Sequence, residues 1–464
     1  MTETSLINLV NPATEETFRT LEPTAESELA SVLERMRAAQ RKWREVPVSE
    51  RVEICRGFVD AFRSMKESVA LDITRQMGKP LVQARREVDT TLDRAETMLR
   101  LAAAALQDDE LPPKEGFRRF IRREPLGIVL DIPAWNYPLL IAVNVVIPAL
   151  LAGNAVLIKH ARLTPLCGDA FVDAFRKTSL PPDLVASIHV GHSTVGRLID
   201  RRAVDFVSFT GSVEGGREVY RQASGQLLDM GLELGGKDPA LVCEDANFSY
   251  AVANLVDGAF YNAGQSCCAV ERIYVLRPLF ARFLDAYVAE VEKYKVGNPE
   301  DSATDIGPLA QRKAVEFMEF QIDQAVGLGA RVLTGGSRAP GPGYFFQPTV
   351  LRDVDHRMSV MMEESFGPVI GIMPVDNEEE GVRLMNDSPY GLTASIWTED
   401  AARGEALAAR TAAGTVYVNR CDYLDPELAW VGIKDSGHGC TLSHLGFLHL
   451  TRPKSFHLRT RTIG

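Results

Sequence analysis

At 464 residues the chain exceeds what one hydrophobic core ordinarily organises, so at least two domains are expected. Its 45% hydrophobic and 24% charged residues exclude a disordered or membrane-embedded class, and its formal net charge of −11 argues against broad nucleic-acid binding. Seven cysteines, an odd count with no metal-ligand spacing, predict reduced thiols and no metal centre.

In chain order, the opening Met-Thr-Glu-Thr-Ser-Leu-Ile-Asn-Leu-Val-Asn-Pro has neither the basic nor the apolar region of a secretory signal, so a cytoplasmic protein is expected. Residues 26–106 return apolar side chains every three or four positions, through Leu29, Val32, Leu33 and Met36, which predicts long amphipathic helices. Residues 116–123 are basic and aromatic, and read as an arm. Ile128-Val-Leu-Asp-Ile132 reads as a strand. Residues 139–151 are apolar but interrupted by Asn144 and Pro148, and shorter than the ~20 residues of a membrane helix, so a buried helix is expected.

Strands at 155–159, 185–190 and 205–209 alternate with helices at 164–177 and 194–200. This βαβαβ pattern implies a parallel sheet with a crevice at its carboxyl ends. The last strand runs into Thr210-Gly211-Ser212 and a helix through Gln222, a turn whose N–H groups can hold a phosphate. A second α/β region starts near Asn247, with helices to 261, at 279–294 and at 311–328 and a strand at 272–275. The terminal strand, residues 450–459, resembles an arm that pairs across a subunit boundary.

Three motifs carry chemistry. Cys267 follows Asn262 and Gly264 in Phe260-Tyr-Asn-Ala-Gly-Gln-Ser-Cys267-Cys268, a turn that would present the sulfur instead of burying it as inert packing. Glu233, in Leu232-Glu-Leu-Gly-Gly-Lys237, is a carboxylate between apolar residues; burial would raise its pKa toward the range of a general base, unless it simply pairs with Lys237. Asn136, in Ile132-Pro-Ala-Trp135-Asn-Tyr-Pro138, either caps the following helix or donates to an oxyanion.

Together these motifs make the chain resemble the aldehyde dehydrogenase superfamily, from Asn11-Pro-Ala-Thr-Glu-Glu16 to Lys454. Further matches are Phe209-Thr-Gly-Ser212, Glu363-Glu-Ser-Phe-Gly-Pro-Val369, Pro389-Tyr-Gly-Leu392 and Lys434-Asp-Ser-Gly437. The resemblance implies NAD(P)+-dependent oxidation of an aldehyde to a carboxylic acid. Cys267 would form a thiohemiacetal and then a thioester, Asn136 would stabilise the oxyanion, and Glu233 would activate the hydrolytic water. It implies cofactor contacts at Lys159, Gly211, Ser212, Glu364, Phe366 and Trp135, and Trp430 and Cys268 beside the substrate. No GxGxxG fingerprint occurs; the Phe-Thr-Gly-Ser turn takes its place.

Two departures stand out. Lys159-His-Ala-Arg162 replaces the Lys-Pro-Ser/Ala-Glu of many NAD users, so a guanidinium stands where a carboxylate is usual, which leans toward NADP or dual use. Gly439-Cys-Thr441 replaces the usual Gly-Arg-Glu.

The fold class implied is α/β and aldehyde dehydrogenase-like. A Rossmann-type NAD(P)-binding domain (1–111 and 128–233) would pack against an α/β catalytic domain (234–445), with a small β oligomerisation arm (112–127 and 446–464). Partners would be a small-molecule aldehyde and further copies of the chain, in a homodimer or homotetramer. The rival readings are a succinate-semialdehyde-type substrate, a CoA-acylating dehydrogenase, which Glu233 argues against, and a non-catalytic, crystallin-like relative, which would be expected to lose Cys267, Glu233 or Asn136.

Overall fold

The structure, a computed structural model, describes residues 6–461. The opening residues read above for a leader lie partly outside that range. A hairpin of β1 (Ile7–Val10) and β2 (Thr17–Leu21) precedes four helices, α1 (Glu26–Trp43), α2 (Val48–Arg63), α3 (Lys66–Met77) and α4 (Leu81–Ala105). Then come β3 (Asp109–Glu110), β4 (Phe117–Pro125), β5 (Ile128–Ile132), α5 (Pro138–Leu151), β6 (Ala155–Ile158), α6 (Pro165–Phe175), β7 (Val185–Ser187), α7 (His192–Asp200), β8 (Phe206–Thr210), α8 (Val213–Gly225) and β9 (Asp229–Glu233).

The second half holds β10 (Asp238–Val242), α9 (Phe248–Phe260), β11 (Val270–Leu276), α10 (Arg277–Val291), α11 (Arg312–Gly327), β12 (Arg331–Thr334), β13 (Thr349–Arg352), α12 (Ser359–Met362) and β14 (Val369–Val375). It closes with α13 (Glu378–Asn386), β15 (Thr393–Trp397), α14 (Ala401–Ala408), β16 (Thr415–Val418), β17 (Gly437–His438), α15 (Ser443–His449) and β18 (Thr451–Arg459).

Two large sheets organise the molecule. The first has the order β17-β9-β8-β5-β6-β7, parallel throughout except for β17, which runs antiparallel to β9. The chain leaves β5 outward through β6 and β7 and returns to β8 on its other side, which makes a topological switch point between β5 and β8. The second sheet has the order β12-β13-β14-β11-β10-β15-β16, parallel except for β12. In both, the central strands β5, β10 and β11 are buried along their whole length, as parallel strands covered on two faces must be.

Helix α5 is apolar all round and almost entirely buried, so it lies inside the first lobe instead of on its surface. Among the described residues no helix is long and apolar enough to cross a membrane.

A third sheet pairs β18 with β4 over nine residues, from Thr451↔Pro125 to Arg459↔Phe117, and adds β3. It thus takes in Asp109 and Glu110, ahead of the arm expected from residue 112. The boundary expected at residue 445 falls inside the first lobe: Trp430, Leu442, Phe447 and Leu450 all join its hydrophobic core, because β17 and α15 complete that side of the sheet.

Candidate active site

Strand ends place the site. Asn136 follows β5, Lys159 follows β6, Gly211 and Ser212 follow β8, and Glu233 ends β9, so all stand at the carboxyl edge of the first sheet. Cys267 lies just ahead of β11, Lys237 just ahead of β10 and Phe366 just ahead of β14, at the amino edge of the second. The two edges meet: a Cβ on Gly236 would stand 2.5 Å from the Cys267 carbonyl oxygen, so only glycine lets the Glu233 loop pass the cysteine loop.

The cysteine is presented by three consecutive left-handed residues, Asn262 (φ 53°), Ala263 (φ 55°) and Gly264 (φ 69°). Hydrogen bonds hold this unusual turn. Asn262 Nδ2 donates to the carbonyls of Gln265 (3.1 Å) and Asn136 (3.2 Å), and its own N–H donates to Gln83 Oε1 (3.1 Å). Gln265 Nε2 returns a bond to the Asn262 carbonyl (3.2 Å), while its Oε1 accepts from the Ala310 N–H (2.9 Å). The result leaves Cys267 half-buried, whereas Cys268 beside it is buried, with its thiol on Asp422 Oδ1 (3.1 Å). Ser266 Oγ also donates to Asp422 (3.0 Å), and a side-chain hydrogen bond joins Cys268 to Cys267, so Cys268 lies between Cys267 and the 420–425 loop.

Asn136 is buried, and its backbone is fixed from two sides. Lys79 Nζ donates to its carbonyl (2.8 Å) alongside Asn262, and Lys79 is itself paired with buried Glu87, whose other oxygen accepts the Leu139 N–H (2.9 Å). Among the described residues the Asn136 side-chain amide makes no hydrogen bond, so it caps nothing and can donate elsewhere.

Glu233 does not pair with Lys237. That lysine is buried against Glu271 and Ser365 Oγ, and Glu271 also accepts the N–H groups of Ser365 (2.8 Å) and Phe366 (3.0 Å). Glu233 instead accepts the Thr441 hydroxyl. Burial raises its pKa above the ordinary carboxylate value, while the Thr441 hydrogen bond, the Arg94 charge and a Trp430 hydrogen bond pull it down. Trp430, buried, exchanges backbone hydrogen bonds with Thr441 in both directions, so the Trp430 wall and the Glu233 partner move as one piece. A cavity of about 20 Å³ behind Glu233 is lined by Ser208, His438, Cys440, Thr441 and His449.

The cofactor-side residues can be tested for fit. A Cβ would come within 2.7 Å of the Phe209 ring at Gly211 and within 2.9 Å at Gly215, so the turn opening α8 is bare backbone, capped by Ser212 Oγ accepting from the Gly215 N–H (3.2 Å). Such a helix start suits a pyrophosphate. Glu364 accepts the Gly236 N–H (3.0 Å), and its carboxyl is pushed up to about 8 by burial, a group that ribose hydroxyls would satisfy. Trp135 and Phe366 meet edge to face at 5.4 Å. The residues therefore fit a dinucleotide. Arg162 is exposed and lines an open cleft of about 360 Å³ with Gln76, Arg312 and Tyr344, which neither Lys159 nor Ser212 shares. A cleft of about 860 Å³, lined from α1, α3 and α6, includes none of these residues.

Sequence motifs did not reveal Lys79, Glu87 or Arg94. The signal available was helical: residues 83, 87, 91 and 94 share the buried face of α4, where charges are rare unless they have work.

Comparison with known proteins places these features in context. The family model described as the aldehyde dehydrogenase family matches residues 1–456. An NAD(P)+ succinate semialdehyde dehydrogenase of Escherichia coli (strain K12) is 34% identical over 437 residues, covering 94% of each chain. An NADP+ succinate-semialdehyde dehydrogenase of Deinococcus radiodurans is 34% identical over 445 residues, 96% of this chain and 93% of the relative. The crystal structure of the Streptococcus pyogenes succinic semialdehyde dehydrogenase with NADP+ superposes with a TM-score of 0.94 at 29% identity, over 98% of this chain and 100% of that one.

Proposed function

The chain belongs to the aldehyde dehydrogenase family, and on that premise we propose how its residues divide the oxidation of an aldehyde to a carboxylic acid with NAD(P)+. The observation that carries the reading is the meeting of a half-buried thiol, an unengaged buried amide and a carboxyl of raised pKa where the edges of the two sheets join.

Cys267 attacks the aldehyde carbon as a thiolate, and the carbonyl oxygen becomes an oxyanion that accepts hydrogen bonds from the Asn136 amide and the Cys267 N–H. Lys159, Gly211, Ser212, Glu364, Phe366 and Trp135 hold the dinucleotide, which when bound supplies the hydride acceptor. Oxidation leaves a thioester on Cys267. Glu233 takes a proton from water, the resulting hydroxide adds to the thioester carbon, and the thiolate leaves as the acid is released.

Relatives named for NADP+ support the lean toward NADP or dual use, and the absence of a carboxylate at Arg162 agrees with it. The same names support a short aldehyde that carries a carboxylate. The three-stranded arm supports assembly into a homodimer or homotetramer.

The test follows reduced cofactor at 340 nm with succinate semialdehyde, NAD+ and NADP+ in parallel, without CoA. Cys267→Ala is expected to give no signal. Glu233→Gln is expected to give a burst of about one equivalent per subunit and then turnover slower by ~100-fold or more. Turnover that requires CoA, or a Glu233→Gln variant with undiminished steady-state rate, would remove Glu233 from its role.

A further inference from the structure

Buried cations in this protein are generally satisfied. Lys79 and Lys237 meet carboxylates, while Arg51 and Arg272 bond through Nε and Nη1 to backbone carbonyls. Arg94, on the buried face of α4 and 5% exposed, is different. Its Nη1 donates to the Leu140 carbonyl (3.2 Å) and to Asn144 Oδ1 (3.1 Å), its Nε is buried with no partner, and among the described residues no carboxylate forms a salt bridge with it.

The guanidinium also stands at the chemistry. Leu140 and Asn144 lie one and two turns beyond Asn136 on α5, and Cys267 and Cys268 pack against the core to which α4 and α5 belong. The ionisable side chains near enough to act on Arg94 are Cys268, Glu233, Glu87 and Cys267. A guanidinium buried without a counter-ion is costly, and its best remedy is a carboxylate gripped along the Nε–Nη2 edge. The chain uses that edge elsewhere: Arg85 holds Glu67, and Arg122 holds Asp108, through Nε and Nη2 together.

We propose that Arg94 receives the carboxylate of an aldehyde-acid substrate on its Nε–Nη2 edge and so decides which aldehydes reach Cys267. The proposal rests on the carboxylated-aldehyde reading above and supplies the residue that reading lacks. Leu140 and Asn144 hold the guanidinium by its far nitrogen, which leaves the gripping edge oriented before the substrate arrives.

Two measurements test it on Arg94→Met and Arg94→Lys. The first is the ratio of kcat/KM for succinate semialdehyde over butanal, an uncharged aldehyde of the same length. The ratio is expected to fall roughly 100-fold in Arg94→Met, mainly through KM, and less in Arg94→Lys, which keeps the charge but not the fork. An unchanged ratio overturns the proposal, including the case where both substrates are lost together. The second measurement is protection of Cys267 against iodoacetamide by succinate, which needs no turnover. Should the wild type prefer butanal, the carboxylated-substrate reading fails by itself, and protection then decides Arg94. Weakening by roughly 100-fold in Arg94→Met sustains an anion site, and equal protection in both proteins overturns it.

Discussion

Glu233 sits between opposed influences, burial raising its carboxyl and Thr441, Arg94 and Trp430 lowering it, and the balance sets the pH at which hydrolysis runs. A base acts only when deprotonated, so turnover should fall as pH drops through the raised value and recover above it. Thr441→Val deletes the largest of the lowering contacts. The acid limb of the kcat profile should then move to higher pH, and the rate on that limb should fall by roughly 10-fold, the worth of a hydrogen bond to a charged carboxylate. A limb that stays put or moves to lower pH would show that Thr441 does not govern the base. At this scale the motif residues were legible in sequence, because their neighbours spell them. Their partners were not. Lys237 is four residues from Glu233 yet pairs with Glu271, and Arg94 reaches the site from a helix that carries no motif, since tertiary packing alone chooses such contacts.

At the scale of elements, the cysteine turn is the most demanding piece. Gly264 combines a left-handed φ of 69° with a position where a Cβ would stand 2.4 Å from the Gly367 carbonyl oxygen. Gly264→Ala is therefore expected to destabilise by ~1–3 kcal/mol and to slow alkylation of Cys267 by iodoacetamide, measured beside the thermal midpoint. Alkylation at the wild-type rate with an unchanged midpoint would mean that the turn tolerates a side chain. Of the elements, Ile128–Ile132 was read from sequence with its observed bounds, because a bounded apolar run of β-branched residues admits little else. Strands β9 and β10, on either side of the Glu233 loop, were not read. Gly231 interrupts the apolar pattern of β9 and Pro239 that of β10, and β17 is two residues long, so that only its pairing with β9 defines it.

For the whole molecule, the alternation of strands and helices made the α/β class legible, and the basic, aromatic segment before Pro125 marked an arm. That this segment pairs with the chain's last strand was not legible, because register between strands so far apart is a tertiary outcome. Phe120 and Phe456 stack at 4.5 Å across that pair, and the opposite edge of β18 has no neighbouring strand among the described residues. Ending the chain after Leu450 is expected to yield a monomer in sedimentation velocity; an undiminished oligomer would place the subunit contact elsewhere. The closing of the first sheet by β17 also bears on how the protein is made. The ribosome releases Glu233 about 200 residues before it releases His438, the partner of Leu232 beside it, and at ~5–20 residues per second this interval lasts ~10–40 s. Throughout that time the nascent first lobe exposes an unpaired strand edge and lacks Trp430, Leu442, Phe447 and Leu450 from its core. Such an edge invites association with other nascent chains, so slower translation or higher temperature should reduce the soluble yield more than the stability of the finished protein would suggest.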